Sequence, residues 1–144
     1  MKAFFDTSAL VPAFFEDHPR HERSFGLFSS QRKSTACTGA HCLAEFYSTA
    51  TGLLGRKQAS PQNAWQFLNA IRERMTIIIL DEADYIAVLD DAVQGGIAGG
   101  AIYDALIARC ALKAKVETIY TWNVKHFTRL GPDVATRVRE PGTA

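Results

Sequence analysis

The chain alternates short apolar runs with longer stretches in which apolar residues recur at helical spacing. Ala3, Phe4 and Phe5 are continuous rather than alternating, so residues 2–5 predict a short strand covered on both faces. Residues 8–16 predict a helix with Leu10, Val11, Phe14 and Phe15 on one side and Pro12 within about its first turn, where a missing N–H costs little. A second helix is expected over 18–30 with Phe25 and Phe28 inward, then a short strand over 35–38. Leu43, Phe46, Tyr47, Ala50 and Leu54 give a helix over 40–54, which Gly55 is placed to end. Ser60 and Pro61 read as the N-cap and first residue of the next helix, whose inward face is Ala64, Trp65, Phe67, Leu68 and Ile71. Residues 76–80 are β-branched and apolar, the clearest strand of parallel-sheet character. Helices follow over 82–93 and 102–115, the second buried on Leu106, Ile107, Cys110 and Ala111. Between them the stretch QGGIAGGA, with four glycines, reads as a loop. Residues 118–121 predict a strand, 134–138 an edge strand, and PGTA a tail.

Strands separated by helices make an α/β domain, with three layers and a central, mainly parallel sheet of four to five strands flanked by helices. One domain over 1–140 and a short tail over 141–144 account for the 144 residues. Apolar residues, 47% of the chain, suffice for a core, and 22% charged residues exclude a disordered chain. The net charge of +1 sets up no global field, so any nucleic-acid site must be a local patch. Three cysteines, Cys37, Cys42 and Cys110, argue against a disulfide framework and fit a reducing compartment. No signal peptide is visible, and the longest aliphatic run, Ile77 to Leu80, is far below the ~18 residues of a membrane span. The expectation is a soluble, cytoplasmic protein without a membrane partner.

In parallel sheets, sites gather beyond the carboxyl ends of the strands. Asp6 stands where the first strand ends. Asp104 lies in the first turn of the helix after the glycine loop, Asn123 follows the strand TIYTW, and Glu45 borders the inward face of the helix over 40–54. Taken singly, each acid has a plainer reading: a cap, a macrodipole partner or a half-exposed helix residue. Taken together, they fall where one fold would converge them. Converging carboxylates repel one another, and a divalent cation removes the repulsion. Hard oxygen ligands suit Mg²⁺ or Mn²⁺, whereas the cysteines and histidines form no plausible zinc set. The natural chemistry of such a site is phosphodiester hydrolysis by activated water.

The segments FFDTSAL at the start, LAEF at 43–46, GGAIYDALIA at 99–108 and TWNVKHF at 121–127 resemble, in order and spacing, the PIN-domain ribonucleases, and more closely the VapC-type toxins of bacterial toxin–antitoxin pairs. The resemblance covers nearly the whole chain. It implies a PIN-like fold and an endoribonuclease dependent on Mg²⁺ or Mn²⁺. Asp6, Glu45 and Asp104 match the family's acidic, metal-binding positions. The fourth position, commonly Asp, falls on Asn123, which contributes no charge but can accept and donate hydrogen bonds. Asp6, Glu45, Asp104 and Asn123 are thus the expected catalytic set. Thr7, Ser8 and Thr121 match hydroxyl positions that orient the acids. Ser8 is placed to bond a neighbouring carboxylate, Asp104 being the expected one. Lys125, His126 and Arg129 are candidates for RNA phosphate contact. The family implies an RNA substrate, a cognate antitoxin and a homodimer.

Other readings compete. A catalytically inactive PIN-like module that binds RNA or protein is favoured by the missing fourth acid. A phospho-acceptor receiver-like domain is imitated by Asp6, Asp81, Thr121 and Lys125, but such domains carry paired acids after the first strand, where Thr7 stands here. The stretch ILDEAD resembles a helicase motif, yet no phosphate-binding loop accompanies it, and Asp81 reads better as a helix cap. Arg20, Arg23, Arg32 and Lys33 form a loose basic cluster that is more simply solvated surface than an RNA contact.

Overall fold

The structure is a computed structural model and describes residues 1–52 and 58–142. Its first strand, β1 (Ala3–Phe5), is fully buried and lies at the centre of the sheet. It pairs in parallel with β2 (Ala36–Gly39) on one side and β4 (Thr118–Tyr120) on the other. β3 (Thr76–Ile78) extends the sheet beyond β2, and β5 (Val138–Arg139) closes it beyond β4, both in parallel. The order β3-β2-β1-β4-β5 therefore surrounds the most apolar strand with neighbours, which explains its unbroken run AFF.

Helices connect the strands. α1 (Thr7–Phe14) and α2 (His21–Ser29) follow β1, and α3 (Ala40–Gly52) and α4 (Pro61–Arg74) follow β2. α1 packs on α2 and α3, and α3 on α4. Their shared core is aromatic: Phe14, Phe46 and Phe28 gather around Phe67 with ring centroids 5.1–5.2 Å apart. α5 (Glu82–Gly95) and α6 (Ala101–Lys113) follow β3 and pack on each other, and α6 also lies on β2 and β3. Between them Gly96 and Gly99 take φ +71° and +63°, conformations that favour glycine and that end one helix and turn into the next. α7 (Val124–Thr128) and α8 (Pro132–Ala135) complete the chain order before β5.

The five-stranded parallel sheet and its flanking helices match the expected α/β architecture. Ser60 caps α4 with Pro61 next, and Asp81 caps α5 through a reciprocal pair with Asp84, as the residue types predict. Several local expectations need correction. Residues 134–138 are not one strand: Pro132 starts a turn of helix, and only Val138 and Arg139 pair with β4. α7 forms over Val124–Thr128, where the sequence pattern predicts no helix. Pro12 is sixth of eight residues in α1, beyond the first turn. The strand expected over 76–80 is shorter, Thr76–Ile78, and is a half-buried edge strand, with Ile79 beyond it 69% exposed. Phe25, Tyr47 and Trp65 face outward, because the buried stripe of each helix is narrower than its set of apolar residues. The expected end of α3, at Leu54 and Gly55, lies outside the described residues. Among the described residues no helix is long and apolar enough to cross a membrane.

Candidate active site

The site is built where β1 ends. The Asp6 N–H donates to the Tyr120 carbonyl at 3.0 Å, which extends the contact between β1 and β4. Its backbone is still extended, while its side chain already caps α1 by accepting from the Ser8 N–H. One residue thus terminates a strand and starts a helix, so its carboxylate is fixed by both elements. It is 3% exposed.

Two hydroxyls complete its surroundings. Ser8 Oγ and Thr121 Oγ1 each donate to Asp6 Oδ2 at 2.8 Å. With their protons so directed, both oxygens accept from the backbone of the chain leaving β4: Trp122 N–H to Ser8 Oγ at 2.8 Å and Asn123 N–H to Thr121 Oγ1 at 3.0 Å. The side-chain bonds converge on Oδ2, which leaves Oδ1 for another ligand. Burial pushes the Asp6 carboxyl above its ordinary range, against the hydrogen bonds that favour its charged form.

Glu45 comes from α3, which begins directly after β2, the strand beside β1. Thr7 Oγ1 donates to Glu45 Oε1 at 2.7 Å, and His41 Nε2, one helical turn earlier, lies 3.4 Å from Oε2. Asp104 is in the first turn of α6, positioned by the glycine-containing turn before it. Arg129 Nη2 lies 3.5 Å and His126 Nδ1 3.8 Å from Asp104 Oδ2. Burial raises the Asp104 carboxyl; the charges of His126 and Arg129 lower it, and that of Glu45 raises it further.

Asp6, Glu45, Asp104 and Asn123 line one cleft of about 490 Å³, together with Thr7 and Ser8. Ligand atoms of Asp6, Cys42 and Glu45 lie within 4.8 Å of one another, while Asp104 lines the same cleft outside that tight group. Burial and the neighbouring Asp6 charge push the Cys42 thiol up to about 12, which favours its protonated form in the metal-free protein. The other donors in the cleft are the carboxylate oxygens of Asp6, Glu45 and Asp104, a set that fits a hard divalent cation.

The placement corrects one expectation and gives the surroundings of three further candidates. Ser8 bonds Asp6, not Asp104. His126 and Arg129 are turned toward Asp104 and help to hold its charge. Lys125 lines a hollow that adjoins the cleft, sharing Trp122 and Asn123 with it. Two features went unread. The i,i+4 spacing of His41 and Glu45 on one helix was a visible signal for their contact. The place of Arg20 in the cleft wall had no local signal, because it depends on the fold.

Residues 3–131 match the PIN domain. The chain belongs to the PIN-domain family. This PIN domain is 31% identical over 113 residues to Ribonuclease VapC27 of Mycobacterium tuberculosis, a match spanning 78% of each chain. In structure it is similar to Mycobacterium tuberculosis VapC20, described as a sarcin-ricin loop cleaving toxin, with a TM-score of 0.69 and 15% identity over 87% of this chain and 92% of that one. It is also similar to VapBC2 of Rickettsia felis bound to a promoter DNA fragment, with a TM-score of 0.65 and 19% identity over 98% and 99% of the two chains. FitAcB of Neisseria gonorrhoeae gives a TM-score of 0.64 and 22% identity over 99% of both. At these identities the structural likenesses establish the PIN fold.

Proposed function

We propose that the protein is the toxin of a toxin–antitoxin pair, a metal-dependent endoribonuclease that cleaves RNA phosphodiesters in the Asp6–Glu45–Asp104 cleft with Mg²⁺ or Mn²⁺. The observation that carries this reading is the convergence of three carboxylates, from the end of β1, from α3 and from α6, on one cleft of a PIN domain. Asp6, Asp104 and Glu45 hold the cation in this reading. When bound, it supplies positive charge to the phosphate oxygens and makes water more acidic. Ser8 and Thr121 keep Asp6 in one rotamer by occupying Oδ2, and Thr7 does the same for Glu45 through Oε1. The Asn123 amide lines the cleft and orients substrate by accepting and donating hydrogen bonds. In the overall reaction a water oxygen joins phosphorus, one ester P–O bond breaks, and the leaving oxygen takes a proton.

The relatives named VapC27 and VapBC2 support the toxin assignment, with an antitoxin as protein partner. Three free, buried thiols suit the reducing cytoplasm. The test is cleavage of a mixed RNA pool with Mg²⁺ or Mn²⁺. Cleavage stopped by EDTA and by Asp104→Asn is the expected result. A folded protein that cleaves no RNA with either ion overturns the ribonuclease reading in favour of a binding module.

A further inference from the structure

The acidic cleft has one wall of opposite charge. Among the described residues Arg20 is the one arginine or lysine lining it. Its guanidinium carbon lies 4.5 Å from the centroid of the Trp122 ring. That ring is itself fixed: Trp122 is 9% exposed, its Nε1–H donates to the buried Ser24 Oγ at 2.9 Å, and its backbone N–H donates to Ser8 Oγ at 2.8 Å. Ser8 in turn holds Asp6. A continuous set of contacts, Asp6–Ser8–Trp122–Arg20, therefore sets the guanidinium in register with the acidic centre.

Arg23 offers a built-in comparison. It lies over the same ring, 4.8 Å from the centroid, so both arginines make the cation–π contact. Arg23, however, packs against Gly142, where an added Cβ would meet its side chain at 3.0–3.2 Å. If the ring existed only to pin α2, the two arginines would be equivalent. They are not, because one of them borders the cleft.

We infer that Arg20 is a substrate-binding residue that receives an RNA phosphate next to the one being cleaved; the inference rests on the ribonuclease reading above. A strand entering a cleft floored by carboxylates brings its flanking phosphates close to like charge. A guanidinium at the wall offsets that repulsion and offers a planar fork to a phosphate. The ring beneath it limits its rotamers, so less freedom is lost on binding. Arg129 is the other arginine near the acids, but it is directed at Asp104.

The test is steady-state cleavage of a short, fluorogenic, single-stranded RNA at several salt concentrations by wild type, Arg20→Ala, Arg20→Lys and Arg23→Ala. Loss of one phosphate contact in Arg20→Ala raises KM about tenfold, leaves kcat within about twofold, and flattens the slope of log(kcat/KM) against log[salt] by about 0.7. Arg20→Lys keeps the wild-type slope because it keeps the charge, and Arg23→Ala keeps both slope and KM. Equal effects of the two alanine variants, or an unchanged slope in Arg20→Ala, overturn the inference while leaving the ribonuclease reading intact. If Arg20→Ala does not fold, Arg20→Gln replaces it against Arg20→Lys, and equal slopes for that pair overturn it too. A wild type that cleaves no RNA removes both readings at once.

Discussion

Asp6 and Asp84 are the same residue type, buried to 3% and 6% exposure, yet the fold treats their charges in opposite ways. Asp84 sits in the first turn of α5 and is surrounded by donors from α6. Lys113 Nζ lies 2.7 Å from one oxygen, Arg109 Nε 3.0 Å from the other, and the Asp81 N–H adds a third bond at 3.1 Å. The bond from Lys113, above all, holds this carboxyl well below the usual range. Asp6 receives only neutral donors, and burial wins, so its carboxyl is pushed up. Asp104 lies between the two cases: the Arg129 guanidinium and the His126 ring approach to 3.5 and 3.8 Å, but burial still prevails. A carboxylate that serves the fold is neutralised by the chain's own cations. A carboxylate left buried and short of positive charge is costly to the fold, and at a cleft shared with two more acids the proposed cation would remove that cost.

The sharpest way to break this comparison is to neutralise each acid in turn. Asp6→Asn or Asp104→Asn removes a charge from the proposed ligand set of the cation, and RNA cleavage is expected to fall by on the order of 10³ or more. Asp84→Asn leaves cleavage per folded molecule near wild type and lowers the melting temperature instead. The two effects separate in one experiment that pairs cleavage rates with thermal melts. Equal loss of cleavage in all three variants means that Asp84 is not merely structural.

A smaller effect tests the hydroxyls. Thr121→Val removes one donor to Asp6 Oδ2 and the acceptor for the Asn123 N–H, with little change in shape. Metal affinity or activity drops about 10–100-fold, measured by titrating Mn²⁺ against cleavage rate. An unchanged titration shows that Ser8 alone fixes Asp6.

The added ion should also act on stability, and differently at the two regions. At a Mg²⁺ or Mn²⁺ concentration about 100 times the dissociation constant, mass action adds about 2.7 kcal/mol to wild type. The same rise in melting temperature is expected for Asp84→Asn and is absent in Asp6→Asn. A rise that persists in Asp6→Asn places the ion elsewhere.

These regions differ in how far they were legible from sequence. The places of the three acids and the parallel character of the sheet could be read because the residue types mark the junctions: an apolar run stopping at Asp6, a glycine turn before Asp104, a helix starting straight after a strand before Glu45. The partners of those acids were less legible. Asp104 meets His126 and Arg129 only because five residues form α7, a helix too short for periodicity to announce. Arg20 reaches the cleft through Trp122, over a hundred positions away in sequence. Apolar composition likewise reported that residues near 76–80 belong in the sheet but not that they form its edge, since helices can cover an edge strand's faces as they cover a central one's.

The least intrusive way to sharpen the contrast is pH, applied to metal-free protein. For Asp84 the folded carboxyl lies below its unfolded value, so its stabilisation is complete above about pH 4 and is lost as pH falls further. For Asp6 and Asp104 the folded carboxyls lie above their unfolded values. Folding there favours the protonated form, so the contribution is present below about pH 4 and is lost as pH rises through the folded value. In EDTA, melting temperatures measured from neutral to acid pH should therefore fall less steeply on the acid side in Asp84→Asn than in wild type. Asp6→Asn should melt higher than wild type at neutral pH, because the desolvated charge is gone, and the gap should shrink on acidification. Saturating Mg²⁺ or Mn²⁺ reverses that order at neutral pH, since only wild type then has a full set of charged ligands. An Asp6→Asn protein less stable than wild type in EDTA at neutral pH would mean that the hydrogen bonds to Oδ2 outweigh burial, and the contrast between the two aspartates would lose its physical basis.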